Sequence, residues 1–426
     1  MRVMLLGAGG FIGRHILVAL LAAGHDVTAV VRKPGYFAAA FPKVRFLALD
    51  LAGATDIDGW RSRLAGIDYI VNAAGNLRGA EMNDVHVRMP AALYAAAKQT
   101  EVKHVVLISA ISASPHAGTD YADTKLAGED MLRSSGVAWT ILRPSLVYSD
   151  GSYGGTSLLR GLASLPWLVP LPGKGDSVFT PIHAEDLARS VTLICGNTGF
   201  FGRTLEPVGP DTLDLRSLLA RYRAWLRFGP ARFLPLPMPV MHLLGRLGDI
   251  AGDGPISSNS LKQMIAGNAG NSQDYADAIG FAPRSLDDAL GARPAEVQDR
   301  WHARLFFLAP AIRAVLILLW LVSAWVGFFH GAAATHALTH ALGMPPSWDD
   351  PLRLSGSVID IGVALLVFLD RDARWSMAVQ TAVVAGYTLV IGIALPQLWL
   401  DPLGPLIKNI PILLLIAVHG VIGNSR

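Results

Sequence analysis

A glycine-rich turn at the start of the chain constrains its fold more than any other feature. The turn has the sequence Gly7-Ala8-Gly9-Gly10-Phe11-Ile12-Gly13. It follows a short apolar run of buried-strand type, residues 2–6, and precedes a helical pattern, residues 11–23. Glycines spaced in this way permit a tight turn, let the backbone approach a pyrophosphate, and let the helix pack close to the strand. The position between a strand and a helix makes an otherwise weak motif informative.

The helix that follows the turn offers free N–H groups and a partial positive charge to phosphate groups. We therefore predict that the turn binds the pyrophosphate of a nicotinamide dinucleotide. The alternative is a generic glycine turn, which the strand and helix on either side disfavour. The residues expected to contact the cofactor here are Gly7, Gly10, Phe11, Ile12, Gly13 and Arg14.

The end of the second predicted strand, residues 26–31, indicates which dinucleotide is bound. An NAD site has an acidic residue there for the ribose hydroxyls, whereas an NADP site has a cation for the 2′-phosphate. The chain has Arg32 and Lys33 at this point and no acid. Arg14 is a second guanidinium suited to a phosphate. We expect NADP(H) to be preferred over NAD(H); the alternative is that Arg32 and Lys33 are solvated loop charges.

Strands alternate with helical patterns over the first 150 residues. Four more strands are predicted at 44–49, 69–72, 104–109 and 139–142, with helices at 90–100 and 121–134. This alternation indicates a doubly wound parallel sheet covered on both faces, the α/β Rossmann-type architecture. We expect residues 1–150 to form an NAD(P)-binding domain.

The sequence becomes irregular and rich in Gly and Pro from about residue 149. We interpret the segments 168–175 and 233–240 as loops or short helices. In this architecture the less regular half shapes the substrate pocket, so residues 151–300 are expected to form a small α/β substrate subdomain.

Two further strand ends carry candidate cofactor contacts. Asp50 closes the third strand and is placed to accept a hydrogen bond from the adenine amine. Asn72, Ala73 and Ala74 close the fourth strand, and their small side chains let the cofactor pass over the edge of the sheet. The alternative at both positions is ordinary loop sequence.

Tyr121 and Lys125 are the main catalytic candidates. They are four residues apart at the start of a predicted helix and therefore share one face. We expect Lys125 to bind the nicotinamide ribose and to lower the pKa of Tyr121, so that Tyr121 transfers a proton near neutral pH. Ser109 ends the fifth strand and is predicted to orient a substrate carbonyl or hydroxyl, with Ser112 as a competitor. The alternative is a chance pair on a helix.

Taken in order, these motifs resemble the short-chain dehydrogenase/reductase superfamily over about residues 1–300. Arg143-Pro144-Ser145 belongs to the same resemblance, and residues 179–186 are similar to the Pro-Val-His-x-x-Asp segment of extended and atypical members. The most similar branch includes the accessory subunit of complex I and related NAD(P)H-binding proteins. The resemblance implies a Rossmann fold, cofactor contacts from Arg143 and Pro144, and a pocket built from residues 151–300.

The chain departs from the superfamily pattern at two positions. Ala110 replaces the serine most often found after the fifth strand, and Thr124 replaces the serine of Tyr-x-x-Ser-Lys. Since several members of this branch bind cofactor without turnover, the resemblance supports cofactor binding more firmly than catalysis.

The last third of the chain is unlike the rest. The sequence as a whole is 52% hydrophobic and 16% charged, and long apolar runs are concentrated in residues 305–426. Four segments are candidate membrane spans: 314–329 with its flank from 308, then 354–369, 376–395 and 405–422. We predict an all-α four-helix transmembrane bundle; the alternative of buried helices in a soluble domain is disfavoured by four such segments in succession.

Cations lie mainly on one side of these spans. They are Arg300, Arg304 and Arg313 before the first span, Arg371 and Arg374 between the second and third, and Arg426 at the end. The loops 330–352 and 396–404 contain no Lys or Arg, and Arg353 is the exception. The positive-inside rule then places both termini and the cofactor domain in the cytosol of a bacterial-type inner membrane. The single cysteine, Cys195, fits a reducing compartment.

Asp360 and Lys408 fall within the predicted spans and are intramembrane functional candidates, because isolated charges are costly there. We hypothesise an Asp360–Lys408 ion pair joined by Tyr387, with snorkelling of Lys408 as the alternative. Residues 395–411 resemble the last loop and span of DoxX-like membrane domains, a resemblance that covers about 305–426. It implies a small bundle linked to quinone or redox chemistry.

The leading expectation is a membrane-anchored NADP(H)-dependent oxidoreductase acting on a carbonyl or alcohol of a quinone or lipid-like substrate. A sugar-nucleotide epimerase or dehydratase is a variant of this hypothesis. The alternative is a non-catalytic NAD(P)H-binding sensor or assembly factor for a membrane complex. The expected partners are the lipid bilayer and either a second copy or a membrane complex. We assign no metal site, and the absence of a basic stripe with interleaved aromatics gives nucleic-acid binding no support.

Overall fold

The computed structural model describes residues 1–77, 79–115, 117–250, 258–266, 268–402 and 404–423. They fall into two compact units, Met1–Ala303 and a second that begins at Arg304. The strands are β1 (Arg2–Leu6), β2 (Asp26–Val31), β3 (Arg45–Ala48), β4 (Tyr69–Asn72), β5 (His104–Ile108), β6 (Trp139–Leu142), β7 (Val147–Tyr148), β8 (Leu168–Pro172), β9 (Val178–Phe179), β10 (Ile182–His183), β11 (Arg203–Leu205), β12 (Leu213–Asp214) and β13 (Arg232–Leu236).

The α-helices of the first unit are α1 (Phe11–Ala22), α2 (Gly35–Ala40), α3 (Ile57–Arg63), α4 (Met89–Lys98), α5 (Asp120–Arg133), α6 (Gly155–Ala163), α7 (Ala184–Ile194), α8 (Leu215–Trp225), α9 (Met238–Ile250), α10 (Ser258–Ala266), α11 (Ser272–Ile279) and α12 (Leu286–Ala292). Those that follow are α13 (Val297–His330), α14 (Ala332–Ala341), α15 (Asp349–Leu369), α16 (Arg374–Ala394) and α17 (Asn409–Gly423). A π-helical turn, Asp84–Arg88, precedes α4.

The centre of the first unit is a seven-stranded sheet with the order β11-β6-β5-β4-β1-β2-β3. All neighbouring strands are parallel. Successive side chains along β1 point to opposite faces of the sheet, and because both sets are apolar, both faces are covered. Val3 and Leu5 enter one apolar core, and Met4 and Leu6 enter the other. The predicted doubly wound parallel sheet is confirmed, with β11 as an additional edge strand.

The interpretation of residues 168–175 and 233–240 as loops or short helices is wrong for part of each segment. Strand β8 pairs in parallel with β13, from Leu168 opposite Arg232 to Pro172 opposite Leu236. The inner side of this pair joins an apolar core that includes Val169, Leu171 and Tyr222. The pairing joins segments about sixty residues apart, so no local pattern announces it, and the prolines lie in a two-stranded edge structure that tolerates them.

The second unit is helical, and three helices of the described chain are long and apolar enough to cross a membrane. They are α13, the segment Pro346–Leu369 that ends in α15, and α16. The fourth predicted span, residues 405–422, corresponds to the shorter apolar helix α17, which has 15 residues where about 20 are usual for a span, so this span stays a prediction. All four helices nevertheless share one core, which includes Leu316, Val363, Val384 and Ile416.

The hypothesised Asp360–Lys408 ion pair is not formed. Asp360 lies within α15, is 5% exposed, and accepts a hydrogen bond from Ser323 Oγ through Oδ2 at 2.6 Å. Lys408 is exposed and lies in the turn before α17, outside a helix, so it does not reach the bundle interior. Arg426, used in the charge argument, lies outside the described residues.

Candidate active site

The glycine turn has the conformation that the sequence predicts. Gly7 has a φ of +74°, a region that favours glycine, and its carbonyl accepts a hydrogen bond from Gly10 N at 2.9 Å. A Cβ at Gly13 would overlap the carbonyl oxygen of Gly7, so the helix can begin this close to the strand only with glycine there. Helix α1 begins at Phe11, and the N–H groups of its first turn have no intrahelical acceptor.

The turn lies directly against the end of β4. A Cβ at Gly7 would lie 2.7 Å from the carbonyl oxygen of Ala73. Asn72 is buried and fixes this strand end, because its Oδ1 accepts from Ala74 N at 3.1 Å and its Nδ2 donates to Tyr94 Oη at 3.3 Å. The small residues Ala73 and Ala74 therefore allow the turn and the strand end to approach each other closely.

The predicted phosphate-binding cations differ in their surroundings. Arg14 donates through Nε to the carbonyl of Gly9 at 3.0 Å, and its guanidinium stacks over the ring of Phe37 at 5.1 Å. Arg32 is exposed at the end of β2. Asp50 is also exposed, and its Oδ1 accepts from Ala52 N at 3.3 Å, which fixes the loop after β3.

Helix α5 places Tyr121 and Lys125 at the same edge of the sheet. Thr119 caps its N-terminus by accepting a hydrogen bond from Ala122 N at 3.2 Å. Lys125 is buried and donates through Nζ to the carbonyl of Ile108, at the end of β5, at 3.0 Å. A Cβ at Gly75 would lie 3.0 Å from Lys125 Nζ. The lysine therefore lies between the ends of β4 and β5.

The predicted lowering of the tyrosine pKa by Lys125 is wrong for this structure. Tyr121 is half-buried, and burial raises its pKa to about 12. Burial also lowers the pKa of Lys125 to about 8, although the nearby Glu129 opposes this change. Tyr121 is therefore a neutral phenol at neutral pH, able to donate a proton rather than to accept one.

His86 is a site residue that the sequence reasoning missed. It projects from the π-helical turn, and its ring meets that of Tyr121 edge to face at 5.7 Å. Its Nε2 accepts a hydrogen bond from Asn76 N at 3.1 Å. Thr124 Oγ1 donates to the carbonyl of Asp120, so it accepts the proton of His86 Nδ1 at 2.9 Å. This network assigns a neutral imidazole, in agreement with burial, which with Lys125 lowers the pKa of His86 to about 3.

The same π-helical turn forces a glycine into α5. A Cβ at Gly128 would overlap the carbonyl oxygen of His86. The backbone of the turn therefore packs directly on the helix that carries Tyr121 and Lys125. No regular pattern in the sequence signals a π turn, which is rare and often found at functional sites.

Ser109 and Arg143 meet at a buried carboxylate. Glu129 is fully buried and accepts from Ser109 Oγ at 2.6 Å and from Arg143 Nη2 at 2.6 Å. Arg133 completes the group with a 2.7 Å hydrogen bond to Glu129 Oε2. Ser109 thus directs its hydroxyl hydrogen to Glu129, and Ser112 is half-buried in the loop after β5. Pro144 is buried next to Arg143.

Two further features surround the site. The ring of Phe11 stacks on that of Tyr153, with centroids 5.3 Å apart and planes at 9°. A cavity of about 420 Å³ opens beside the start of α5. Its lining consists of Gly79, Met82, Gly118, Thr119, Asp120, Asp249, Ser258 and Lys262. It adjoins Tyr121 in the chain and is a candidate substrate pocket.

These residues fit a dinucleotide. The turn at Gly7 and Gly13 leaves a cradle that a Cβ would fill, and the N-terminus of α1 faces that cradle. Lys125 lies at the far end of the same sheet edge, where a nicotinamide ribose is expected. Among the residues described, no group of His, Cys, Asp and Glu side chains is arranged to hold a metal ion.

Comparison with known proteins identifies both parts of the chain. Residues 7–163 match the NAD(P)H-binding family model, and residues 317–417 match the model of the DoxX-like family. The NADH dehydrogenase [ubiquinone] 1 alpha subcomplex subunit 9 of Mus musculus is 25% identical over 61% of this chain and 69% of its own length. A ceramide reductase of Caulobacter vibrioides is 28% identical over 58% of this chain and 77% of its own.

A solved structure shows the same fold. A nucleoside-diphosphate-sugar epimerase from Staphylococcus aureus superimposes with a TM-score of 0.56 at 20% identity, over 68% of this chain and 99% of that structure. At this identity the likeness concerns the fold alone. The chain is therefore an NAD(P)H-binding Rossmann-like protein with relatives among complex I subunits, joined to a C-terminal DoxX-like membrane domain.

Proposed function

We propose that the chain is a membrane-anchored, NADP(H)-dependent oxidoreductase of the short-chain dehydrogenase/reductase type that reduces a carbonyl group on a lipid-like substrate. The observation that carries the proposal is the pair Tyr121 and Lys125, one helical turn apart on α5, with Lys125 Nζ beside Gly75 at the sheet edge. Residues 1–150 would bind the cofactor, and residues 151–300 would shape the substrate pocket.

The protonation of Tyr121 favours the direction of reduction. When bound, the dinucleotide would supply the hydride for reduction of the carbonyl carbon. Tyr121, with a pKa raised to about 12, stays protonated at neutral pH and donates its proton to the carbonyl oxygen, which gives the alcohol. Lys125 would bind the ribose, and a proton from solvent would replace the one that Tyr121 donates.

Two observations support a lipid-like substrate. The second unit has three helices suited to crossing a membrane, which would hold the cofactor domain next to the bilayer. A relative that is 28% identical over 58% of the chain is a ceramide reductase. A quinone has the same lipid-soluble carbonyl chemistry, and substrate screening distinguishes it from an acyl lipid.

Replacement of Tyr121 by Phe tests the proposal. We expect Tyr121→Phe to lower kcat for NADPH-dependent reduction of a long-chain keto lipid by about 100-fold or more, with little change in the Kd of NADPH. Tyr153→Phe is the matched control, because it keeps the aromatic stack on Phe11 and removes only a hydroxyl. Full activity of Tyr121→Phe would contradict the enzyme proposal.

A second candidate function is cofactor binding without turnover, in a sensor or an assembly factor of a membrane complex. The specific observation in its favour is that Ser109 donates its hydroxyl hydrogen to Glu129, so this hydrogen is not directed to a substrate. The relation to a complex I subunit is compatible with such a role. If Tyr121→Phe keeps both NADPH binding and the cellular phenotype of the wild type, this second function is favoured.

A further inference from the structure

Helix α9 carries an apolar stripe that no other described element covers. Val240, Leu243 and Leu244 are 43%, 57% and 42% exposed. At about 100° per residue, they lie on the side of the helix opposite Gly245. Gly245 packs on α10, where a Cβ would lie 3.1 Å from Ser258 Cα. One side of α9 is therefore packed, and the opposite side presents three large aliphatic side chains to solvent.

The strand pair that precedes α9 also exposes apolar side chains. Trp167 is 81% exposed, Leu168 is 50% exposed and Leu234 is 42% exposed. Because side chains alternate along a strand, Val169 enters the core while Leu168 and Leu234 stay on the outer side. Only Pro237 separates β13 from α9. Exposed apolar side chains on consecutive elements form a larger patch than isolated surface residues do.

The charges beside this surface are mostly positive, and Asp249, the one acid of α9, is on the side of the helix away from the apolar stripe. Between residues 215 and 248 the sequence has six arginines and no Asp, Glu or Lys. Arg223 and Arg221 are held within the fold, by backbone carbonyls and by Asp287 respectively. Arg227, Arg232 and Arg246 are exposed. An apolar helix face beside arginines complements an anionic lipid surface, where aliphatic side chains enter the acyl boundary and cations meet the head groups.

We propose that the outer side of β8–β13 and the apolar stripe of α9 form a membrane-docking surface that binds anionic phospholipid head groups. Its apolar anchors are Trp167, Leu168, Leu234, Val240, Leu243 and Leu244. The occupant is the bilayer surface, since the charge of Arg227, Arg232 and Arg246 is complementary to anionic lipids.

The candidate substrate pocket lies on the other side of α9 from the apolar stripe, because Asp249 is one helical turn after Gly245 and shares its side. Asp249 near the end of α9 lines the cavity, together with Ser258 and Lys262 of α10 and with Thr119 and Asp120 at the start of α5. Docking of α9 would place this cavity one helix diameter, roughly 10 Å, from the bilayer surface. A lipid would then have a short path around α9 to the pocket; this step, unlike docking itself, rests on the proposed function.

The full-length chain allows a selective label, because its one cysteine, Cys195, is only 5% exposed. The Leu243→Cys variant is labelled with a bimane fluorophore and placed in nanodiscs that hold one chain each. The discs contain phosphatidylglycerol, and a nitroxide on the lipid head group quenches the fluorophore when the two are close. Val18→Cys on α1 is the matched control, since Val18 is 53% exposed outside the docking surface. We expect quenching at position 243 to exceed that at position 18 by roughly threefold or more.

The charge requirement is tested by Arg232→Glu and Arg246→Glu in the Leu243→Cys chain. We expect quenching to fall to the level seen in phosphatidylcholine discs, whereas Lys43→Glu, at an exposed position on the chain before β3, leaves it unchanged. Equal quenching at positions 18 and 243 would overturn the proposal. Shielding of position 243 from iodide without lipid quenching would also overturn it, because a protein partner or a second copy would then be the occupant.

The readout does not depend on turnover, so the two proposals fail separately. Lipid quenching in a chain whose activity survives Tyr121→Phe would retain the docking surface and refute the enzyme role. Reduction of a keto lipid without quenching at position 243 would support the enzyme role and refute the docking surface. If both hold, Leu243→Glu should raise KM for the lipid by roughly tenfold with the Kd of NADPH unchanged.

Discussion

Individual buried polar side chains hold the site of this protein together. His86 joins the loop at Asn76 to Thr124 on α5, and Glu129 joins Ser109 to Arg143. Unpaired polar groups are costly inside a protein, so each group is fixed by its partners. The side chains that would act on a substrate, Tyr121 and Lys125, lie between these two networks.

The neutral state of His86 predicts how stability depends on pH. Its pKa is 6.5 in the unfolded chain and is lowered to about 3 by burial, so only the unfolded chain takes up a proton between these values. Stability conferred by neutral His86 is complete above pH 6.5 and is lost as the pH falls toward 3. The slope approaches about 1.4 kcal/mol per pH unit.

Chemical denaturation of the wild type and of His86→Gln between pH 4 and 7 measures this effect. The difference in the free energy of unfolding between the two proteins should shrink steadily as the pH falls. A constant difference over this range would show that His86 is not held neutral in the fold.

Arg32 is expected to select the cofactor. We expect Arg32→Asp to raise the Kd of NADPH by about tenfold or more, because a charge-assisted contact with the 2′-phosphate is lost and a repulsion is added. The Kd of NADH should stay the same or fall. Fluorescence titration with both cofactors measures this, and Lys43→Asp, another exposed cation, is the control. Tighter binding of NADH by the wild type would refute the NADP(H) preference.

The sequence predicts site residues well where one local motif carries them, as at Gly7 and Gly13, whose geometry follows from a strand and a helix on either side. It fails where partners are distant in the chain. His86 and Thr124 are 38 positions apart, and Ser109 and Glu129 are 20 apart. The raised pKa of Tyr121 also follows from burial, which no spacing of residues reveals.

At the scale of elements, α5 has the largest role because it carries both catalytic candidates. The N-terminus of α5 is fixed by the Thr119 cap. A different helix, α3, has a comparable cap in Asp56, which is far from the site residues in the sequence. Both caps satisfy N–H groups that a helix leaves open at its start. They therefore form a matched pair for separating stability from function.

Removal of either cap should cost about 1 kcal/mol of stability. We expect Thr119→Ala to lower kcat/KM as well, because the first turn of α5 carries Tyr121 and Thr119 lines the cavity. Asp56→Ala should leave kcat/KM unchanged at temperatures where the protein stays folded. Thermal unfolding measures the stability of both variants, and steady-state kinetics measures their kcat/KM. Equal kcat/KM values for the two variants would argue against a positioning role for the start of α5.

The elements themselves follow the sequence wherever the pattern is local. The six strands predicted in residues 1–150 are present because each is a short apolar run between a turn and a helix. The β8–β13 pair was not predicted, because the register of two distant, proline-containing segments is set by the core formed with Tyr222 and Leu171. Helix α17 is shorter than its apolar run because the chain forms turns up to Lys408.

For the whole molecule, charge placement supports the proposal that the first unit is cytosolic in a bacterial-type inner membrane. Arg353, the exception to the positive-inside pattern, donates to Asp350 Oδ1 at 2.8 Å and to the carbonyl of Gly327 at 3.3 Å. It is one cation against five, within the described residues, on the proposed cytosolic side, so the overall bias of Lys and Arg is kept.

Cysteine accessibility in intact cells tests this orientation. We expect a membrane-impermeant maleimide to label Ala334→Cys, on the exposed surface of α14, from outside the inner membrane. Val18→Cys in the first unit should react only after lysis. The wild type, with its buried Cys195, is the background control. Labelling of Val18→Cys in intact cells would place the cofactor unit on the outer side.

The π turn at Asp84–Arg88 also restricts which changes of length this segment of the chain can accept. The carbonyl of His86, within this turn, lies against α5, and this contact excludes a side chain at Gly128. Deleting one residue from the turn would restore α-helical winding and rotate His86 away from Thr124 by about 100°. Homologues that lack one residue here should therefore be free to carry alanine or serine at the position of Gly128, so that a deletion within residues 84–88 and a substitution at position 128 are inherited together.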